Sequence, residues 1–166
     1  MKPHPEGANA IAIRPDGREA VAALENRLLV YDVATGKLAR ELPPASGVVR
    51  DVDWSPDGKS LLVTIFYDAS ARLLRPDTGI EWGRLPVERE ASAAEFSPDG
   101  RVAAVGGETG ALVLFTLSGG GPRTLGEGRR AVAVLTFDDD RLIAGRDGGL
   151  VQVWNVRDGI LGREVE

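Results

Sequence analysis

FSPDGR, residues Phe96 to Arg101, recurs three times with small changes: IRPDGR at Ile13 to Arg18, WSPDGK at Trp54 to Lys59 and a shortened FDDDR at Phe137 to Arg141. In SPDG the proline presets φ for the second turn position and the aspartate bonds nearby backbone. The glycine takes the left-handed site before the next strand. Such a turn joins adjacent antiparallel strands in a tight hairpin. The residue before each turn, Ile13, Trp54, Phe96 or Phe137, recurs at spacings of 41, 42 and 41. A second phrase follows each turn: LLVYDVATG, RLLRPDTG, LVLFTLSGG and VQVWNVRDG end on Gly36, Gly79, Gly120 and Gly159, which lie 43, 41 and 39 apart. Two independent markers agree on a period near 41 residues, the mark of a repeat architecture.

Within one copy, short apolar runs alternate with Gly, Pro and Asp, which is strand-and-turn punctuation. The fourth copy reads AVAVLTF, RLIAG, LVQVWNV and ILGREV, four strands in one period. The other three divide likewise, and no stretch keeps a helical apolar face. The fold class is therefore all-β, with four repeats of about 41 residues, each a four-stranded antiparallel sheet. The copies are expected at residues 7–43, 44–87, 88–127 and 128–166 of a single domain. SGGGP, Ser118 to Pro122, reads as a long turn between third and fourth strands. The fourth hairpin, which has lost Pro, Gly and one residue, is expected to be tighter or looser than the others.

Composition narrows the function classes. The 166 residues are 43% hydrophobic and 27% charged, ordinary values for a globular chain. Net charge is -5, and acids and bases alternate rather than run in blocks, which argues against a nucleic-acid or anionic-membrane surface. No apolar run approaches a membrane span, and MKPHPEGAN lacks the apolar core of a secretory signal. The expected location is the cytoplasm. The absence of cysteine removes disulfides, thiolate metal sites and cysteine nucleophiles.

In repeat length and strand count the chain resembles the WD-repeat β-propeller family. The best-matching positions are the F-S-P-D-G turn and the end of the third strand, where Tyr31-Asp32 and Trp154-Asn155 stand at the Trp-Asp position. ATGK, Ala34 to Lys37, and RDG, Arg157 to Gly159, resemble the turn that follows. Leu74-Arg75 and Phe115-Thr116 replace the Trp-Asp pair in the middle copies, and no copy has the Gly-His pair before its first strand. SPDG turns also occur in the TolB-like propellers, the near alternative. The resemblance implies four blades, fewer than most WD-repeat rings. An open arc of four leaves two end faces uncovered. Three solutions stand open: a segment of a longer propeller, two copies paired head to tail into an eight-bladed homodimer, or four blades closing alone.

Candidate chemistry is sparse. His4, the one histidine, lies in a Pro-flanked tail and reads as solvated. No G-x-S-x-G, H-E-x-x-H or P-loop pattern occurs. Asp138, Asp139 and Asp140 could offer oxygen ligands to a hard cation, but they replace a turn and read as solvated. Asp51 with Asp53, and Glu88 with Glu90, each share a strand face by period 2; without a pocket they read as surface or blade-edge pairs. GGETG, Gly106 to Gly110, and RDGG, Arg146 to Gly149, lie between strands and read as hairpins. No metal or cofactor is expected. Trp54 and Trp154 read as core, and Trp82, in an outer strand, as partly exposed.

The resemblance implies a non-enzymatic protein-interaction scaffold that binds a peptide or protein through rim loops, with a propeller-type hydrolase or lyase as the other class. The rim loops carry Arg50, Phe66, Tyr67, Asp68, Arg89, Arg130, Arg146 and Asp147, beside Arg129 and Glu90. Aromatic and Arg side chains are enriched at binding hot spots, which singles out Phe66, Tyr67 and the arginines.

Overall fold

The computed structural model describes residues 7–128 and 130–166. Four separate four-stranded antiparallel sheets follow one another, each meandering in chain order. Blade 1 consists of β1 (Ala10–Ile13), β2 (Glu19–Leu24), β3 (Arg27–Asp32) and β4 (Leu38–Glu41). Blade 2 consists of β5 (Val49–Trp54), β6 (Leu61–Ile65), β7 (Ser70–Leu74) and β8 (Glu81–Pro86). Blade 3 has β9 (Ala91–Phe96), β10 (Val102–Gly107), β11 (Ala111–Thr116) and β12 (Arg123–Glu127); blade 4 has β13 (Val132–Asp138), β14 (Arg141–Arg146), β15 (Val151–Asn155) and β16 (Leu161–Val165). Among the described residues the one helical element is a 3-10 turn at Asp147–Gly149.

The repeated turn adopts the geometry its residues favour. Gly58 and Gly100 stand at φ +67° and +68°, and their N–H groups donate to the Ser55 and Ser97 carbonyls at 2.8 Å. The Asp57 and Asp99 carboxylates accept from the serine hydroxyls at 2.7 Å and from the Lys59 and Arg101 N–H groups at 3.0 Å. In the fourth turn Asp138 pairs with Arg141, leaving only Asp139 and Asp140 in the loop. This hairpin is therefore the tighter one, and Asp139, at φ +53°, takes the left-handed place that glycine holds elsewhere.

Strand alternation sends successive side chains to opposite faces, so register decides what each blade shows its neighbours. Ile13, Trp54, Phe96 and Phe137 hold one structural place, paired with Ala20, Leu61, Ala103 and Leu142 on the second strands. Trp54 packs with Val21 and Val30 of blade 1, Phe96 with Leu62 and Leu73 of blade 2, and Phe137 against Ala104 and Leu114 of blade 3. The core is thus three apolar seams between consecutive blades, with a smaller buried cluster of Ala22, Leu24 and Leu29 on the other face of blade 1. Trp54 and Trp154 are buried there as expected, though neither indole N–H finds a partner. Trp82 is partly exposed on β8, with Arg75 over its ring at 5.5 Å.

The first strands stand side by side, β1 with β5, β5 with β9 and β9 with β13, and form the inner edge of the stack. Among the described residues no comparable packing joins β13 to β1. The four blades form an open arc.

Candidate interaction rim

The loops between second and third strands, and those from one blade to the next, gather at one rim because both sit at the same end of the meander. Backbone bonds tie them together. The Glu25 carbonyl accepts from the Val49 N–H at 2.7 Å, Asp68 from Ala91 at 2.9 Å, Glu90 from Glu108 at 3.0 Å and Ala131 from Asp147 at 3.0 Å.

At blade 2 this brings Arg50, Phe66, Tyr67 and Asp68 together. The Arg50 guanidinium lies 4.3 Å from the Phe66 ring centroid and donates to the Glu108 carboxylate. The Phe66 and Tyr67 rings are 5.9 Å apart and tilted by 54°. Tyr67 is 85% exposed and sits at φ +61°, a left-handed conformation that is uncommon for an aromatic residue. Asp68 accepts from the Ser70 hydroxyl at 2.8 Å and from Arg72 Nε at 2.7 Å. Burial pushes its carboxyl up, but the Arg72 and Ser70 bonds outweigh burial and hold it below the usual carboxylate range. A hollow of about 760 Å³ runs beside these groups, lined by Ser46, Gly47, Val48, Phe66, Tyr67, Asp68 and Arg72. It offers an apolar aromatic wall with a polar end.

The other rim residues sit apart from this cluster. Arg89 and Asp147 are exposed, and exposed Arg130 pairs with Glu166 at 3.1 Å. Arg146 is only 5% exposed. Its Nη1 donates to the Gly110 and Arg130 carbonyls at 2.7 and 3.0 Å, and its Nε to Gln152 Oε1 at 2.6 Å. Burial lowers its pKa, and its geometry pins the loops of blades 3 and 4 together. His4 and Arg129 lie outside the described residues.

Asp51 and Asp53 do share one strand face, but it looks into the seam between blades 2 and 3, not to the surface. Asp51 Oδ2 accepts the Ala94 N–H at 3.0 Å and Asp53 Oδ2 the Phe96 N–H at 2.8 Å. Their other oxygens accept the N–H groups of Val52 and Trp54 at 2.9 and 2.8 Å. One blade on, Glu95 Oε1 accepts from the Phe137 N–H at 3.3 Å and the Thr136 hydroxyl at 3.4 Å. The inner strands are sheet edges, and these carboxylates satisfy N–H groups that the ladder leaves over. Burial raises all three carboxyl groups, Asp53 to about 6 and Glu95 to about 7. Perturbed carboxylates often mark catalytic sites. Here burial raises them against the opposing pull of their seam hydrogen bonds, and none lines these hollows.

The opposite rim holds a hollow of about 930 Å³ between blades 3 and 4, whose lining includes Ser97, Asp99, Arg101, Arg123, Asp139 and Arg157. Sequence reading missed it because its residues come from three turns, each of which reads as solvated alone, and from strands β10, β11 and β12. Two members of the aspartate triplet are ion-paired: Asp138 with Arg141, and Asp140 with Arg157 at 3.4 Å. Among the described residues no group of three or more His, Cys, Asp or Glu side chains is placed to hold a metal ion, and no helix is long and apolar enough to cross a membrane.

Residues 36–73 match the family model of the WD domain, G-beta repeat, a window from the end of blade 1 through most of blade 2. The chain is also similar to the WD repeat and SOCS box-containing protein 1 of Takifugu rubripes, with 30% identity over 96 residues. That stretch covers 55% of this chain and 22% of the fish protein, so the chain spans about a fifth of its relative's length.

Proposed function

We propose, from the premise that the chain is a WD-repeat protein, that it is a non-enzymatic scaffold binding a peptide or protein segment at the rim beside blade 2. The observation that carries this reading is the exposed Phe66–Tyr67 step with Arg50 stacked on it, bordering a hollow large enough for a side chain. Tyr67 supports it further, since backbone strain on a rigid frame concentrates where a loop is shaped for contact. Arg89, Arg130 and Asp147 stand elsewhere on the same rim, and Arg146 holds the loops of blades 3 and 4 together. A displayed library of random peptides provides the test. Peptides selected on the wild-type chain should bind the combined Arg50→Ala, Tyr67→Ala and Arg130→Ala variant at least ~30-fold more weakly, about 2 kcal/mol, with unfolding unchanged. Equal binding to both proteins removes the rim from the function.

A second reading, self-assembly into an eight-bladed homodimer, is favoured by the open arc and by exposed apolar side chains on its two end blades. Ile11 and Ile13 are 68% and 62% exposed at one end, and Val134 is 58% exposed at the other. Faces of this kind are unusual on soluble monomers.

A further inference from the structure

We infer that the outer face of blade 1 seats on the outer face of blade 4 of a second copy, twice over, through the same contact that joins the blades inside the chain. This rests on the self-assembly reading and specifies its seam.

Register makes the end faces equivalent to interior ones. Ile11 and Ile13 occupy the places of Val52 and Trp54, of Ala94 and Phe96, and of Leu135 and Phe137. Val52, Trp54, Ala94, Phe96 and Leu135 are buried against the preceding blade, and Phe137 packs partly buried in the last seam. Only in blade 1 do these positions stand in solvent. On the other end, Ile143 and Val153 occupy the places of Val21 and Val30, of Leu62 and Leu73, and of Ala104 and Leu114. All six interior counterparts are buried under the following blade, whereas Ile143 and Val153 are half-buried and neighbouring Val134 and Val151 are exposed.

Blade 1 therefore carries the face by which a blade docks on its predecessor, and blade 4 the face by which a blade receives its successor. A head-to-tail contact between unlike faces generates a ring when the rotation closes. Two copies of four blades make eight, within the range of about four to eight that closed propellers use, and three copies would exceed it. A second copy thus fits both faces at once. Within the chain, Asp51 reaches the backbone of Ala94 across a seam. Those residues are the counterparts of Val134 and Ile11, so Val134 of one copy should lie against Ile11 of the other.

The full chain should show a native mass of twice 17.6 kDa at micromolar concentration. Ile11→Lys and Val134→Glu should each give the single-chain mass, because each sets a charge against an apolar face in both seams. Mixed, they should recover the two-chain mass as a one-to-one heterodimer: one seam keeps both native faces, and the other sets the introduced ammonium against the introduced carboxylate. Ile13→Lys with Val153→Glu provides a second pair, and circular dichroism checks that every variant is folded. A single-chain mass for the wild type overturns self-assembly and the seam together. A wild-type dimer whose folded variants remain dimeric alone, or fail to pair when mixed, overturns the seam while self-assembly stands.

Discussion

Raising the pH from 5 to 8 should destabilise this protein by about 2 kcal/mol, and Glu95→Gln should remove about half of that loss. The carboxyl groups of Asp53 and Glu95 ordinarily titrate near 3.8 and 4.5, and in the seams they titrate near 6 and 7. Between those values the unfolded chain has given up the protons and the folded chain still holds them. Stability supplied by these groups is therefore complete below the ordinary values and lost as pH rises through about 6 and about 7. Asp51, raised by the same burial, adds in the same direction. Carboxylates held below their usual range, Glu19, Asp32, Asp57, Asp68 and Asp99, finish titrating at lower pH in both states and leave this window alone. The unscreened shifts would give more than about 2 kcal/mol; the smaller figure allows for water at the half-buried Glu95.

Glutamine suits the Glu95 site because both bonds, from the Phe137 N–H and the Thr136 hydroxyl, go to one oxygen, Oε1. An amide keeps that acceptor and cannot ionise. Asp53→Ala behaves differently, since it strands the N–H groups of Phe96 and Trp54 and should destabilise at both pH values by roughly 1–3 kcal/mol. Urea unfolding at pH 5 and pH 8 reads all three proteins. A wild type equally stable at both values would show that the seam carboxylates titrate normally, and a Glu95→Gln slope equal to the wild type's would show the same for Glu95.

Gly110→Ala should destabilise by about 3–5 kcal/mol, lowering Tm by roughly 10 °C, whereas Gly36→Ala should cost only about 1 kcal/mol. Both glycines have positive φ, +89° and +65°. A Cβ on Gly36 meets nothing within 4 Å, whereas on Gly110 it falls 2.4 Å from the Gly128 carbonyl oxygen and 2.7 Å from that of Arg130. Those atoms are backbone and cannot swing aside. The Gly110 carbonyl also accepts from Arg146 at 2.7 Å, so shifting this turn disturbs the cation that ties blades 3 and 4 together. Thermal unfolding of the two variants compares crowding with conformation alone; equal losses would mean that φ decides and the packed turn does not matter.

The turns and strands were legible because they rest on short-range signals. Pro, Asp and Gly in SPDG act within four residues, and alternation in VRDVDW or RLIAG acts within one strand. Asp51 and Asp53 show where that legibility stopped. Their common face follows from period 2, but its burial depends on β9, whose Ala94 and Phe96 lie 43 residues away from the carboxylates they meet. Arg146 is similar: in RDGG it reads as a loop cation, yet the carbonyl of Gly110, 36 residues earlier, makes it a buried pin. For the rim, Arg50, Phe66, Tyr67 and Asp68 were visible as loop residues, and their stacking was not.

The sequence by itself determined the all-β class, the period near 41 residues and the four-stranded unit, since each follows from hydrogen-bonding and turn preferences of neighbouring residues. Only the tertiary structure decided that the arc stays open, that three carboxylates cap the inner edge inside the seams, and that Ile11, Ile13 and Val134 lack the cover their counterparts have. Repeats of one pattern look alike along a chain. A blade face becomes core or surface only when another blade does or does not lie against it, and that contact is made between residues a whole period apart.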